Sequence, residues 1–193
     1  MRYVFITGIP TAGKSHLAKK VAQKTNCIHV DIDDLRGPMT KNPSLEPWVN
    51  FFANQDEEKY WQTVTPEEHW NNLVKQSEAF WPTILKKIHE IQQSGQSVIF
   101  EGVNILPHLA HKDLDFSGVA LIGSSQEEVF QRCKKEPRWG ESIKVQSMEA
   151  EWFFMHEGKM YEQEAHKYGY KTFRNSEEAE KELLHLLQYE PPR

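Results

Sequence analysis

The chain has 193 residues, of which 38% are hydrophobic and 26% are charged, a composition that excludes a disordered protein and suffices for one domain over residues 1–193. Its formal net charge of −5 argues against a polyanion-binding surface and leaves room only for a local basic cleft. No segment has the roughly 18 apolar residues of a membrane span, and residues 1–15 have the pattern of a strand and a loop rather than a signal peptide. We therefore expect a cytoplasmic protein with no membrane partner. The isolated Cys27 and Cys133 predict neither a disulfide nor a zinc site.

Short apolar segments alternate with amphipathic helical patterns along the chain. Strands that helices cover on both faces are apolar throughout, so this alternation predicts an α/β fold around a parallel sheet. The last segment alternates polar and apolar residues, which is typical of an edge strand. The predicted strands cover residues 3–6, 27–30, 98–100, 119–122 and 170–173.

A glycine-rich segment, Gly-Ile-Pro-Thr-Ala-Gly-Lys-Ser at residues 8–15, follows the first predicted strand and matches the pattern G-x-x-x-x-G-K-[ST]. Glycines let successive backbone N–H groups point to one spot, and the following helix adds its positive N-terminal end. The segment predicts a polyphosphate site in which Lys14 contacts the β- and γ-phosphates and Ser15 binds Mg²⁺. The predicted nucleotide-binding residues here are Gly8, Pro10, Thr11, Ala12, Gly13, Lys14, Ser15 and His16.

Three aspartates follow the second predicted strand, at the sheet edge where open α/β proteins bind their ligands. We expect Asp31 and Asp33 to share one face of the strand, with Asp31 on the metal side and Asp33 as the base that accepts a proton from an acceptor hydroxyl. The alternative is that Asp33 or, more readily, Asp34 only caps the next helix. Arg36 either binds an anionic acceptor or is a surface arginine.

Residues 37–62 contain three prolines and five aromatic residues, and their pattern leaves the secondary structure of this segment open. The aromatic side chains either form a small core under a long loop or line an acceptor pocket. A clear helix follows, because Thr65 and Glu68 form a capping box and apolar residues then recur every three or four positions until Gly95. Further capping patterns predict helices that begin near residues 126 and 176.

The third predicted strand ends in Glu101, which is followed by Gly102. We expect Glu101 to emerge beside the glycine-rich loop and to hold a Mg²⁺-bound water, or else to pair with Lys14 as a structural residue. Gly102 would let an acceptor approach the backbone closely.

Two arginines follow the fourth predicted strand. Arg138 lies in a loop between Pro137 and Gly140, and a loop arginine hinged in this way can close over a triphosphate and stabilise transition-state charge. We predict a lid over residues 134–145 with Arg138 as its catalytic residue. Arg132 is better placed to stack on a nucleotide base, although either arginine could serve in the lid.

Together, the segments GIPTAGKS, DIDDLR and FEGVNILP and the arginines after strand four resemble those of the adenylate-kinase-like P-loop kinases. The resemblance is to the group, which includes shikimate and gluconate kinases, chloramphenicol phosphotransferase, polynucleotide kinase and zeta-type toxins. FEGVNILP is also similar to a segment of 2-phosphoglycerate kinase.

This resemblance implies a three-layer P-loop NTPase fold with a five-stranded parallel sheet in the order 2-3-1-4-5 and helices on both faces. It also implies an acceptor-binding insert over residues 37–95, and that Arg174 and Asn175 border adenine. Residues 37–97 and 140–168 match no segment of the group.

The sequence thus predicts a kinase that uses ATP and Mg²⁺ to phosphorylate a hydroxyl of a small metabolite or nucleotide-like acceptor. Two alternatives stay open. Aromatic side chains can stack bases, which would suit a nucleic-acid 5′-end kinase. The P-loop could instead drive a conformational change in a regulatory ATPase without an acceptor.

Overall fold

The computed structural model describes residues 1–137 and 142–188. Within these ranges five strands form one parallel sheet in the order β2-β3-β1-β4-β5, which confirms the predicted α/β fold and the predicted strand order. The strands are β1 (Tyr3–Gly8), β2 (Ile28–Asp31), β3 (Val98–Glu101), β4 (Gly118–Leu121) and β5 (Lys171–Phe173).

The predicted strands agree with the observed ones to within two residues at each end. The central strands β3 and β4 are buried along their whole length, as uninterrupted apolar segments predict. β5 lies at an edge, as its alternating pattern predicts. The second predicted strand is also apolar, but it is not a central strand. β2 forms the opposite edge of the sheet and is only partly buried.

The helices that surround the sheet differ greatly in length. In chain order they are α1 (Lys14–Thr25), α2 (Arg36–Met39), α3 (Glu46–Val49), α4 (Glu57–Thr63), α5 (Pro66–Gln92), α6 (Pro107–Asp113), α7 (Gln126–Lys135), α8 (Ile143–Glu151), α9 (Gly158–Lys167) and α10 (Ser176–Leu186). A 3₁₀ turn, Ile32–Leu35, precedes α2, and a π-helical turn, Trp152–Glu157, joins α8 to α9.

The direction of the chain crossovers places the helices in two layers. The connection from β1 to β2 runs toward one edge of the sheet, whereas the later connections all run toward the other edge. Because parallel crossovers are right-handed, α1 covers one face and α5 to α9 cover the other. α10 packs beside α1, where Glu180 binds both Lys20 and Lys24.

The capping prediction for α5 is confirmed. The Thr65 hydroxyl accepts from the Glu68 N–H at 3.2 Å, and the Glu68 carboxylate accepts from the Thr65 N–H at 2.9 Å. Residues 36–63 contain the short helices α2, α3 and α4, none of which the sequence pattern predicted. No helix within the described part of the chain is both long enough and apolar enough to cross a membrane.

Candidate active site

The segment from Gly8 to Gly13, here called the P-loop, curves from the end of β1 to the start of α1. Gly8 and Gly13 have φ angles of 122° and 95°, which side-chain-bearing residues rarely adopt. A Cβ atom on Gly8 would lie 2.0 Å from the Leu121 carbonyl oxygen. Gly13 stands at the N-cap of α1 and supplies no side-chain cap, so the first N–H groups of this helix stay available to an anion.

Lys14 is buried and folds back over the P-loop. Its Nζ donates to the carbonyl oxygens of Gly8 at 3.1 Å and Ile9 at 2.8 Å. The lysine charge therefore lies at the focus of the loop, where an incoming phosphate would meet it.

A cavity of about 610 Å³, here called the P-loop pocket, opens beside Thr11, Gly13, Ser15 and His16. Its basic lining residues are Lys14, Lys19, Arg132 and Lys135, and its acidic ones are Asp31, Asp33, Glu101 and Glu136. The cations can neutralise a polyphosphate, and the carboxylates at the strand ends can serve a metal ion or a proton transfer.

Arg132 of α7 contacts the main chain of the P-loop. Its Nη1 donates to the Thr11 carbonyl oxygen at 2.9 Å, and its Nη2 donates to Glu128 at 2.5 Å. A Cβ on Gly13 would lie 2.8 Å from the same Nη1. Arg132 thus supports the loop at a point where Thr11 has a positive φ of 58°. Its contact with a nucleotide base stays a prediction.

Asp31 and Glu101 are paired in register at the carboxyl ends of β2 and β3. Burial and the charge of Glu101 raise the pKa of Asp31 to about 6. Burial alone would also raise the pKa of Glu101, but a hydrogen bond from His29, the charge of Lys14 and a hydrogen bond from Ser15 lower it. Two carboxylates and a hydroxyl thus converge at the mouth of the P-loop.

These residues fit a Mg²⁺ ion that substrate phosphates also bind. A divalent cation would relieve the repulsion between the Asp31 and Glu101 carboxylates, and Ser15 adds a hydroxyl oxygen. The described residues contain no group of three or more His, Cys, Asp or Glu side chains arranged to hold a metal alone. Mg²⁺ commonly takes only one or two carboxylates and completes its shell with water and phosphate oxygens.

The aspartates after β2 differ from prediction in two respects. The strand ends at Asp31, so Asp33 lies in the 3₁₀ turn and does not share a strand face with Asp31. The capping residue is Asp31, whose Oδ1 accepts from the Asp33 N–H at 2.9 Å, and not Asp34. The turn nevertheless brings Asp31 and Asp33 to the same P-loop pocket.

Asp33 forms an ion pair with Arg36 one turn later, with 3.3 Å between Asp33 Oδ1 and Arg36 Nη2. Arg36 Nη2 also donates to Asn104 Oδ1 at 3.0 Å. Gly102 is buried beneath this turn, and a Cβ there would lie 3.1 Å from Ile32 Cβ. The absence of a side chain at Gly102 therefore lets Ile32, in the turn that carries Asp33, pack closely against the backbone.

A second cavity of about 300 Å³, here called the side pocket, adjoins the first. Pro10 lines the side pocket, and its neighbour Thr11 lines the P-loop pocket. Likewise, Arg36 lines the side pocket, and its ion-pair partner Asp33 lines the P-loop pocket. The other lining residues are Phe52, Ala53, Trp61, His69, Leu73, Gln76, Val103, Glu149, Phe153 and Glu157. The two cavities thus meet at the P-loop and at the Asp33–Arg36 ion pair.

Aromatic residues in 37–62 both pack in the core and line a cavity, and the binding of an acceptor in that cavity stays a prediction. Tyr60 and Trp61 are buried in the core cluster, with 5.1 Å between their ring centroids. Phe52 and Trp61 also line the side pocket. The same aromatic cluster therefore packs the insert and forms one wall of a cavity.

Glu149, Phe153 and Glu157 line the side pocket although no motif marked them. They follow one another at steps of four residues, which in an α-helix would drift around the axis by about 40° per step. The wider π-helical turn reduces this drift and keeps all three on one side. The four-residue spacing of two glutamates around a phenylalanine is the sequence signal that could have revealed them.

Other predicted site residues lie apart from both pockets. Arg174 donates to Glu162 at 2.6 Å and lies over the Phe154 ring, and the Asn175 side chain caps α10. Their position at an adenine base stays a prediction. Arg138 lies outside the described residues, as does the middle of the predicted lid over residues 134–145.

No family model matches the chain, and no curated protein matches its sequence. Solved structures do match it. Shikimate kinase from Acinetobacter baumannii, in complex with shikimate, aligns with a TM-score of 0.52 and 14% identity over 97% of this chain and 94% of that chain. Deoxyadenosine kinase from M. mycoides, with its products bound, aligns with a TM-score of 0.50 and 13% identity over 96% of this chain and 98% of that chain. At these identities the likeness shows the fold, and the chain has the P-loop kinase fold that its motifs predict.

Proposed function

We propose that the protein is an ATP-dependent, Mg²⁺-requiring kinase that phosphorylates a hydroxyl group of a small molecule. One observation carries the proposal: Asp33, a carboxylate that can accept a proton, lines the P-loop pocket and pairs at 3.3 Å with Arg36, which lines the side pocket. A phosphoryl donor in the first cavity and an acceptor in the second would face each other at this residue.

In this mechanism the P-loop N–H groups and Lys14 bind the triphosphate. Ser15, with Asp31 and Glu101, would hold Mg²⁺. Mg²⁺ held there would neutralise charge on the triphosphate. Asp33 orients the acceptor hydroxyl and takes its proton as the hydroxyl oxygen bonds to the γ-phosphorus. The bond between the γ-phosphorus and the β–γ bridging oxygen breaks, which gives ADP and a phosphomonoester.

The side pocket favours a small acceptor over the two alternatives. Among the described residues that line it, Arg36 is the sole arginine or lysine, and it is already paired with Asp33. A nucleic-acid end would need more positive charge along its path. A regulatory ATPase has no acceptor to bind, so it would not need the second cavity beside the P-loop.

Transfer of the label from γ-labelled ATP, measured with MgCl₂ and a panel of small hydroxyl compounds, tests the proposal. We expect a labelled phosphomonoester, and we expect Asp33→Asn to reduce the transfer rate by about 10²–10⁴-fold with ATP affinity unchanged. Asp34→Asn is the matched control, because Asp34 is exposed and lies outside both pockets. Label on 5′-hydroxyl oligonucleotides alone would favour an end kinase, and ATP hydrolysis unaffected by every acceptor would favour a regulatory ATPase.

A further inference from the structure

We infer that the acceptor is an amino alcohol, a small molecule whose protonated amine binds the Glu157 carboxylate while its hydroxyl faces Asp33. This inference rests on the proposed kinase function and names its substrate class. The inference is based on the polar side chains that line the side pocket, a different set of residues from those that line the P-loop pocket.

Glu157 is buried, with 3% of its surface exposed, and it lines the side pocket. Its Oε2 lies 3.0 Å from His69 Nε2. Its Oε1 is also buried and accepts no hydrogen bond from the described residues. A buried carboxylate oxygen without a donor is costly, so the fold keeps one acceptor atom for a group that enters the cavity.

His69 and Tyr60 extend the hydrogen bonding of Glu157 into the core. The Tyr60 hydroxyl lies 3.0 Å from His69 Nδ1, and burial raises the pKa of Tyr60 to about 12. When the phenol donates to Nδ1, His69 Nε2 carries a proton and donates it to Oε2 of Glu157. Oε2 is thus engaged, and Oε1 is the acceptor atom left for an incoming group.

Among the described residues that line the side pocket, Arg36 is the sole lysine or arginine. Its guanidinium pairs with Asp33 at 3.3 Å and donates to Asn104 at 3.0 Å. An ammonium group on a ligand would place a positive charge beside the Glu157 carboxylate and donate to its Oε1.

Aromatic walls suit the same ligand. Phe52, Trp61 and Phe153 line the side pocket, and the Trp61 and Phe153 rings stand nearly perpendicular, with centroids 5.9 Å apart. Aromatic faces attract ammonium ions, and they also pack against a short carbon chain. At about 300 Å³ the cavity lies at the small end of ligand sites, which favours a compact acceptor.

Three acceptors of matched length test the inference: 3-aminopropan-1-ol, propane-1,3-diol and 3-hydroxypropanoate, each with γ-labelled ATP and MgCl₂. For the wild-type protein we expect kcat/KM for the amino alcohol to exceed the other two by about 10-fold or more, as one hydrogen bond to a charged group contributes. Transfer to the diol or the hydroxy acid with equal or higher kcat/KM would overturn the inference and leave the kinase function standing. Absence of transfer to all three, while another compound of the hydroxyl panel is phosphorylated, would overturn the inference alone. Absence of transfer to every compound of the panel, with ATP bound, would overturn both.

The isosteric Glu157→Gln variant identifies the residue. We expect it to lower kcat/KM for the amino alcohol by about 10–100-fold, and to change neither the value for the diol nor the KM for ATP. Glu151→Gln is the matched control, since Glu151 is an exposed residue at the end of α8. Equal losses for the amino alcohol and the diol would show a structural role for Glu157 and reject the inference. The wild-type preference among the three acceptors does not depend on how the variant folds.

Discussion

Asp33 Oδ1 lies 3.3 Å from Arg36 Nη2, at the boundary between the P-loop pocket and the side pocket. The ion pair joins the 3₁₀ turn to the first residue of α2, and Asn104 anchors the arginine from the other side. The orientation of the proposed base therefore depends on a residue of the acceptor side.

Replacement of this arginine tests that dependence. Arg36→Met removes the partner that orients Asp33, so we expect kcat to fall by about tenfold with little change in the KM for ATP. Lys41→Met is the control, because Lys41 is an exposed cation on the same segment. Steady-state kinetics with varied ATP and varied acceptor measure both values, and a change confined to the KM for ATP would contradict the assignment.

A side chain at Gly8 should disrupt the P-loop. Gly8→Ala would place Cβ 2.0 Å from the Leu121 carbonyl oxygen at a φ of 122°. Steric overlap and backbone strain should together lower the free energy of unfolding by about 2–4 kcal/mol and weaken nucleotide binding. The comparison is Gly37→Ala, where no atom lies within 4 Å of the added Cβ and φ is not positive. Urea unfolding measures both variants, and equal stabilities would contradict the prediction.

Lys14 should dominate the binding of the triphosphate. Lys14→Gln removes a buried charge at the P-loop, and we expect ATP affinity in the presence of Mg²⁺ to fall by about 10–100-fold, the value of one or two charge-assisted hydrogen bonds. Lys19 lines the same pocket but is exposed, so Lys19→Gln should have a much smaller effect. Calorimetric titration with ATP distinguishes them, and equal losses would mean that the loop lysine has no special position.

The contact between α1 and α10 should make stability depend on pH. Burial alone would raise the pKa of Glu180, but its hydrogen bonds with Lys20 and Lys24 lower it below the ordinary value. A folded-state pKa below the unfolded one stabilises the protein above the unfolded pKa, and this contribution disappears as the pH falls through the folded pKa. Glu180→Gln should therefore lower the free energy of unfolding by about 1–2 kcal/mol at pH 7, and by progressively less below about pH 4.5.

Glu90 provides the control for that experiment, because it also faces two lysines but is exposed. The Lys86 and Lys87 ammonium nitrogens each lie 4.0 Å from a Glu90 carboxylate oxygen, and the Glu90 side chain is 53% exposed against 7% for Glu180. Glu90→Gln should change the free energy of unfolding by less than about 0.5 kcal/mol at any pH. Urea titrations at several pH values measure both variants, and a difference for Glu180→Gln that does not shrink in acid would contradict the assignment.

The features that sequence predicted well are those that local chemistry determines. The segment from Tyr3 to Gly8 is apolar and ends in the P-loop, and the Thr65–Glu68 capping box sets the start of α5 through backbone hydrogen bonds a few residues apart. In both cases the residues that define the feature lie together in the chain, so one sequence contains the whole signal.

The features that sequence missed depend on contacts between distant segments. Glu157 lines the side pocket with its Oε2 3.0 Å from Nε2 of His69, which stands 88 residues earlier in the chain. Asp31 caps the 3₁₀ turn because β2 ends two residues before Asp33, which a shared strand face would have to include, and pattern alone does not set such an end point. Tertiary packing determines both features, and the periodicity of the sequence does not contain that information.

The π-helical turn Trp152–Glu157 has an evolutionary consequence. The wider turn takes up one extra residue, so deletion of one residue there would restore α-helical geometry and leave the rotation of α8 relative to α9 nearly unchanged. Glu149 and Glu157 would then stand seven residues apart, still on one side of the helix. A descendant gene could therefore lose one codon here and keep both glutamates at the cavity, with the phosphate-binding end unchanged.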